Sequence, residues 1–270
     1  PTQPVITYGL RGGWSCEVTV TGPAADMHSG LFGGTVHNAN QALAEILAQL
    51  HDATGRITVP GFYDNVEEIA PAERAELAKV PYGDAELLAD SGAPAVYGEP
   101  GFNVVERIGN RPTLEICGMW GGFIGEGFKT VIPSKAHAKI SCRLVPNQDP
   151  ARIGKLVTEY IQKLCPPTVT VEVVARGKGV HAFVAPFDSP EVQAAAEAYE
   201  SVFGVAPVYQ RSGGGIPVVS LFSGVLGLPV ILMGFGLPDD NLHAPNEKMH
   251  LPNFYKGIAT SIAFMEALVG

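Results

Sequence analysis

Cationic clusters are what this 270-residue sequence most clearly lacks. Its 18 Lys and Arg stand against 27 Asp and Glu, a formal net charge of −9, and no stretch gathers basic side chains. Nucleic-acid binding draws affinity from counterions released by clustered Lys and Arg, so that partner class is excluded, and polybasic attachment to a membrane with it. Cysteine is scarce as well: Cys16, Cys117, Cys142 and Cys165 stand far apart, with no CxxC pair. Such thiols suit a reduced, cytoplasmic interior better than a disulfide framework. Formal charge is missing altogether from Ser212 to Pro238, a run long enough to suggest a membrane span. Gly213, Gly214, Gly215, Pro217, Gly224, Gly227, Pro229, Gly234, Gly236 and Pro238 break it into short pieces, so a buried helix followed by a buried strand is expected instead. An initiating Met and a signal sequence are also absent; the opening PTQPVITYGLRGG is what a segment of a longer protein would show.

What is present is a globular composition, 46% hydrophobic and 17% charged, enough for one large domain or two ordinary ones. Trp14 to Thr21 alternates as a half-buried strand and stops at Gly22-Pro23. A Gly-rich stretch from His28 to Gly34 leads to Thr35, an expected N-cap for a helix over about 36–50. The pattern weakens between about 55 and 111, which reads as an insertion, with a helix opening at Pro71 and another capped by Asp84. Strands are expected at 112–117 and 136–145, a helix over 150–164 and a strand over 168–175. Without the insertion the order is strand, helix, strand, strand, helix, strand, the ferredoxin-like arrangement, ending near Gly177-Lys178-Gly179. The remainder reads as helix 189–202, strand 206–210, helix 216–225, strand 229–234 and helix 252–268. Its continuous apolar strands suggest a parallel sheet covered on both faces. The expected domains are therefore 1–12 as a margin, 13–179 as the ferredoxin-like unit with its insertion, and 180–270 as part of a second domain.

Four constellations could carry chemistry. Leu237 to Glu247 follows an expected strand and holds Asp239, Asp240 and His243; it is either a metal-ligating loop or a turn capped by its own Asp and Asn residues. Arg211-Ser-Gly-Gly-Gly-Ile-Pro217 follows a strand and opens a helix, offering either free N–H groups for an anion or a tight glycine turn. In Trp120 to Thr130, Gly122 and Gly127 imitate a phosphate loop, but Phe128 separates the second glycine from Lys129-Thr130, and nucleotide binding is rejected. Arg143 shares a strand face with Lys139 and Ser141, and His28 precedes a glycine-rich connection.

Taken in order, Tyr8-Gly-Leu-Arg-Gly12, Met27 to His37, Lys129-Thr-Val-Ile-Pro133, Arg143 to Asn147, Arg211 to Pro217 and His243 to Lys248 resemble the carnosinase-type dipeptidase branch of the aminoacylase/carboxypeptidase family of two-zinc metallopeptidases. The resemblance covers essentially the whole chain. It implies a ferredoxin-like α+β lid domain, through which two subunits pair as a homodimer, joined to the C-terminal part of an α/β zinc-peptidase catalytic domain. It implies further that His243 is a zinc ligand in a site holding two zinc ions. His28 would be the lid histidine that polarises the scissile carbonyl in the neighbouring subunit. Thr130 and Arg143 would contact a small peptide substrate, Arg143 through its carboxylate, and Gly213, Gly214 and Gly215 would border it.

The sequence departs from that pattern in two places. Ser212-Gly213-Gly214-Gly215 stands where the family's dipeptidases often carry Glu-Gly-Gly-Ser, which puts strict dipeptide preference in question. The family's remaining zinc ligands and its general-base Glu have no counterpart here, so this chain by itself is expected to be inactive. Two alternatives accompany the dipeptidase reading: a hydrolase of N-acyl amino acids, and a non-catalytic dimerisation and substrate-recognition fragment.

Overall fold

The computed structural model of the chain describes residues 3–269 apart from Pro238 and His243. The elements run β1 (Val5–Leu10), β2 (Gly12–Thr21), β3 (Met27–His28), α1 (Ser29–Phe32), α2 (Ala39–Ala48), α3 (Pro71–Leu77), α4 (Asp84–Ser91), α5 (Val104–Asn110), β4 (Thr113–Gly121), β5 (Val131–Ile132) and β6 (Lys135–Leu144). They continue with α6 (Pro150–Leu164), β7 (Thr170–Ala175), β8 (Phe183–Val184), α7 (Pro190–Phe203), β9 (Val208–Ser212), α8 (Pro217–Leu221), a π-helical turn at Phe222–Leu226, β10 (Leu232–Met233) and α9 (Leu251–Val269).

The first sheet has the order β4-β6-β2-β7, antiparallel throughout, with α2 and α6 on one face: the ferredoxin-like arrangement. Period-2 patterning builds it. Along β6, Ala136, Ala138, Ile140, Cys142 and Leu144 are buried while Lys135, Lys139 and Arg143 are exposed. Asp149 caps α6 through the Arg152 amide with Pro150 in the first turn, and Ile153, Val157 and Ile161 form the stripe that α6 buries. Leu43, Ile46, Ile140, Leu144, Val157 and Ile161 sit at 0–1% exposure, and each such side chain contributes about 1.5–3 kcal/mol of transfer free energy. Ile57, Val59 and Phe62 join this core, so the first residues of the expected insertion belong to the domain itself.

The second sheet is centred on β1, with β9 parallel on one side and β8 and β10 antiparallel on the other. The expected parallel sheet is thus corrected to a mixed one. An apolar run without alternation does not encode strand direction, and Leu232 and Met233 of β10 are only half-buried here. β1 itself has no counterpart among the expected strands, although Val5-Ile-Thr-Tyr8 is rich in β-branched and aromatic residues. Ile6, Leu10, Phe183, Val192, Ala195, Tyr199 and Val219 form its core, and α7 packs along α9.

Smaller corrections concern caps and ends. Asn38, not Thr35, caps α2; the Thr35 hydroxyl instead donates to the Phe32 carbonyl. Gly83 is the N-cap of α4, with Asp84 inside its first turn. The helix expected to Val225 passes into the π-turn after Leu221, and the strand expected over 229–234 narrows to Leu232–Met233. No described helix is long and apolar enough to cross a membrane.

The rest of the insertion bridges the two sheets. α3 and α5 pack on β9, whose strand partner among the described residues is β1 alone. Gly109 permits the approach: a Cβ there would lie 2.4 Å from the Arg211 carbonyl oxygen.

Candidate functional site

His28 and Thr130 are brought together by a two-strand ladder. β3 pairs with β5, setting His28 opposite Val131, and the Ser29 amide donates to the Thr130 carbonyl at 3.0 Å. His28 Nδ1 accepts from the Gly30 amide at 3.0 Å. A ring nitrogen that accepts carries no proton, so the neutral imidazole keeps its hydrogen on Nε2. That atom stands 3.5 Å from the Thr130 hydroxyl, at the limit of a hydrogen bond. Both side chains open on a cavity of about 630 Å³ lined also by Asp26, Phe123, Phe128 and Lys129. An imidazole N–H beside a hydroxyl is a donor set suited to a carbonyl oxygen that gains negative charge. The glycines of the adjoining segment lead into β5 and no helix, so the phosphate-loop geometry is absent as the sequence indicated.

Arg143 lies near the opposite end of β6, facing Gly13 on β2 and Thr113 on β4. It is exposed, and among the described residues its guanidinium makes no hydrogen bond or ion pair. Eight residues separate it from Lys135, the end of β6 towards Thr130, about 27 Å at ~3.4 Å per residue. The family resemblance grouped Thr130 and Arg143 as substrate contacts; within one chain they stand towards opposite ends of β6.

The Gly213–Gly215 loop sits at the Arg143 end, just after β9. The Ser212 hydroxyl accepts from the Gly214 amide at 3.2 Å, so one of the N–H groups offered to an anion is already engaged. α8 then opens at Pro217 with no side-chain cap. The loop wraps Arg11, whose backbone amide is shared between the Ser212 and Gly214 carbonyls at 3.3 and 3.2 Å.

His243 and Pro238 lie outside the described residues. Around them, Asp239 is ion-paired with Lys248, whose ammonium holds that carboxyl below its usual range. Asp240 is buried; its Oδ2 accepts from the Leu237 amide at 2.7 Å and its Oδ1 has no partner among the described residues. Among the described residues no group of three or more His, Cys, Asp or Glu could hold a metal ion. The described side chains therefore do not by themselves make a metal centre, and no chemical step is assigned through one.

Sequence reasoning missed a buried polar cluster behind the loop. Glu73 Oε1 accepts from the Tyr8 hydroxyl at 2.5 Å, from Asn110 Nδ2 at 2.9 Å and from Arg211 Nη2 at 2.5 Å. Burial, and next the carboxylate of Glu73, push the Tyr8 phenol above its ordinary range. Nearby, Arg111 holds Glu99 bidentately at 2.8 and 2.9 Å. Tyr8 and Arg211 both stood in quoted motifs, but nothing local signalled a carboxylate from α3.

A ferredoxin-like four-stranded sheet with β4 at its edge, linked through Arg11 to a second, mixed sheet, is the architecture these elements define. Residues 8–169 match the family model described as the peptidase dimerisation domain of M20 peptidases. The chain belongs to the carnosinase-type dipeptidase branch of the M20 metallopeptidases. It is 37% identical over 270 residues to the Cys-Gly metallodipeptidase dug1 of Schizosaccharomyces pombe, covering 98% of this chain and 56% of that protein. Against the Beta-Ala-His dipeptidase of Homo sapiens the identity is 32%, over 97% of this chain and 52% of the relative. The M20 family metallo-carboxypeptidase Sso-CP2 from Sulfolobus solfataricus superposes with a TM-score of 0.87 at 30% identity, covering 98% of this chain and 60% of that one. The chain thus spans about half the length of the curated relatives it matches.

Proposed function

We propose that this chain supplies the lid, the substrate contacts and one metal ligand of a zinc-dependent, cytoplasmic dipeptidase that works as a homodimer. Residues 13–179 form the lid and pairing domain in this reading, and 1–12 with 180–270 belong to the catalytic domain. The observation that carries it is Arg143: an exposed guanidinium with no partner among the described residues, opposite Gly13 and so two residues along the chain from the Arg11 that the Gly213–Gly215 loop wraps. A planar fork of donors left free in that position suits a planar carboxylate, the group at the C-terminal end of a short peptide. His28 and Thr130 bind the scissile carbonyl, His28 through its Nε2 hydrogen, and His243 is one zinc ligand, the others lying outside this sequence. This chain alone is inactive in this reading, for want of a general base and of a complete ligand set.

Arg143→Ala in the whole enzyme tests it. Losing one partner of a desolvated charge pair costs about 2–5 kcal/mol, so kcat/KM for a free dipeptide should fall by about 30-fold or more. Converting the substrate's carboxylate to an amide should erase most of the difference between variant and wild type. Equal hydrolysis of free dipeptides by both proteins would remove Arg143 from the site. Cleavage of N-acyl amino acids in preference to dipeptides would favour the aminoacylase alternative, which the loss of the loop's carboxylate (Ser212 for Glu) keeps open.

A further inference from the structure

Arg11 lies in the quoted Tyr8-Gly-Leu-Arg-Gly12 motif, in the one-residue link between β1 of one sheet and β2 of the other. Its side chain spans two carbonyls from distant parts of the chain: Nε donates to Gly213 at 3.0 Å and Nη1 to Arg111 at 3.1 Å. The loop is shaped around it. A Cβ on Gly213 would lie 2.9 Å from Arg11 Nη2, and one on Gly215 would lie 2.8 Å from the Arg11 carbonyl oxygen. The second anchor is itself fixed, because the Arg111 guanidinium is buried and forked onto Glu99. On the lid side, Gly13 lies two residues on and faces Arg143 across the β2/β6 ladder.

We infer that Arg11 is a positioning residue: it fixes the backbone of the glycine loop against the end of the insertion and holds that loop in register with the strand that carries Arg143. A single rigid fork does this where a flexible ammonium could not, since both carbonyls must be reached at once. Arg11 also places a second guanidinium near Arg143. Burial, and next the charge of Arg143, lower its pKa to about 10, so it remains cationic at neutral pH and adds to the field that an anionic substrate group meets. The assignment rests on the peptidase reading only for what the loop binds; the anchoring itself does not.

The test pairs two readouts in the whole enzyme for Arg11→Met and Arg11→Lys. The first is amide hydrogen exchange across Ser212 to Ile216, and the second is KM against kcat for a dipeptide. Arg11→Met should speed exchange in that loop by about tenfold or more, with β2 and β6 unchanged. It should raise KM by about tenfold while kcat moves much less. Arg11→Lys keeps the charge and the stem and secures folding, yet it should still show the faster loop exchange. Wild-type exchange in Arg11→Lys, or acceleration spread over the whole sheet, would overturn the positioning role, as would wild-type exchange and KM in Arg11→Met. If the wild-type enzyme hydrolyses no dipeptide, the peptidase reading fails while the exchange arm still decides this inference.

Discussion

Cys16 and Cys142 illustrate what surroundings do to one side chain. Both are almost fully buried on β2 and β6, whereas Cys117 is exposed on β4. Burial pushes the Cys16 thiol from its ordinary 9.0 up to about 12, and it pushes Cys142 up as well. A thiol must ionise and be reached to react. Iodoacetamide on the native protein should therefore modify Cys117 first and leave Cys16 and Cys142 intact until unfolding, as peptide mapping would show. The pH dependence follows in sign. The folded state holds the Cys16 proton more tightly than the unfolded state does, so this contribution to stability is complete below pH 9 and is lost between 9 and about 12. Early alkylation of Cys16 in the folded protein, or a denaturation midpoint that rises across that window, would contradict the assignment.

At the scale of elements, the insertion matters through two short helices. α3 brings Glu73 and α5 brings Asn110 to β1 and β9, where Tyr8 and Arg211 wait. Three donors converge on one largely buried carboxylate oxygen, and the Arg211 guanidinium also lies 5.5 Å from the Tyr8 ring centroid. Removing one member of a buried ion pair leaves its partner uncompensated at a cost of about 3–5 kcal/mol. Glu73→Ala should lower the unfolding free energy by that order, as a shift of urea midpoint with little change in slope. Glu73→Gln, which retains an acceptor for Tyr8, should lose less. Equal midpoints for Glu73→Ala and wild type would show that α3 does not hold the insertion to β9.

At the scale of the molecule, the two proposed halves of the substrate site face different ways. A dipeptide spans only about 7 Å, whereas His28 with Thr130 and Arg143 with the glycine loop stand near opposite ends of β6. In the proposed reading one subunit does not present both sets to one small substrate, and a second copy supplies the missing set. β4 offers a surface for pairing: it ends the first sheet and exposes Ile116, Met119 and Trp120. Co-assembling His28→Ala subunits with His243→Ala subunits should restore one working site per heterodimer, against almost none in either parent. Heterodimers that form but stay inactive would argue that His28 acts within its own subunit. A second apolar surface runs over Phe222, Val225 and Leu226 and along α9 through Phe254, Ile258 and Ile262. It belongs to the part proposed as catalytic, and the rest of that domain is its proposed cover.

The sequence by itself determined whatever is local and periodic. Alternation along β2 and β6 fixed which residues face the core, and Asp149, Ser189 and the prolines after them marked where α6 and α7 begin. Ordered motifs singled out His28, Thr130, Arg143 and the glycine loop, since each carries its residue types in a short window. What only the tertiary structure decided depends on partners far apart in the chain. Glu73 meets Tyr8 across 65 residues, His28 meets Thr130 across 102 and Arg11 meets Gly213 across 202. Strand direction in the second sheet belongs to the same class, because an apolar run such as Val230 to Met233 shows no alternation and its neighbours are chosen by packing. Side-chain chemistry is written residue by residue, but which groups share a carboxylate, a carbonyl or an empty face is set by the closing of the chain on itself.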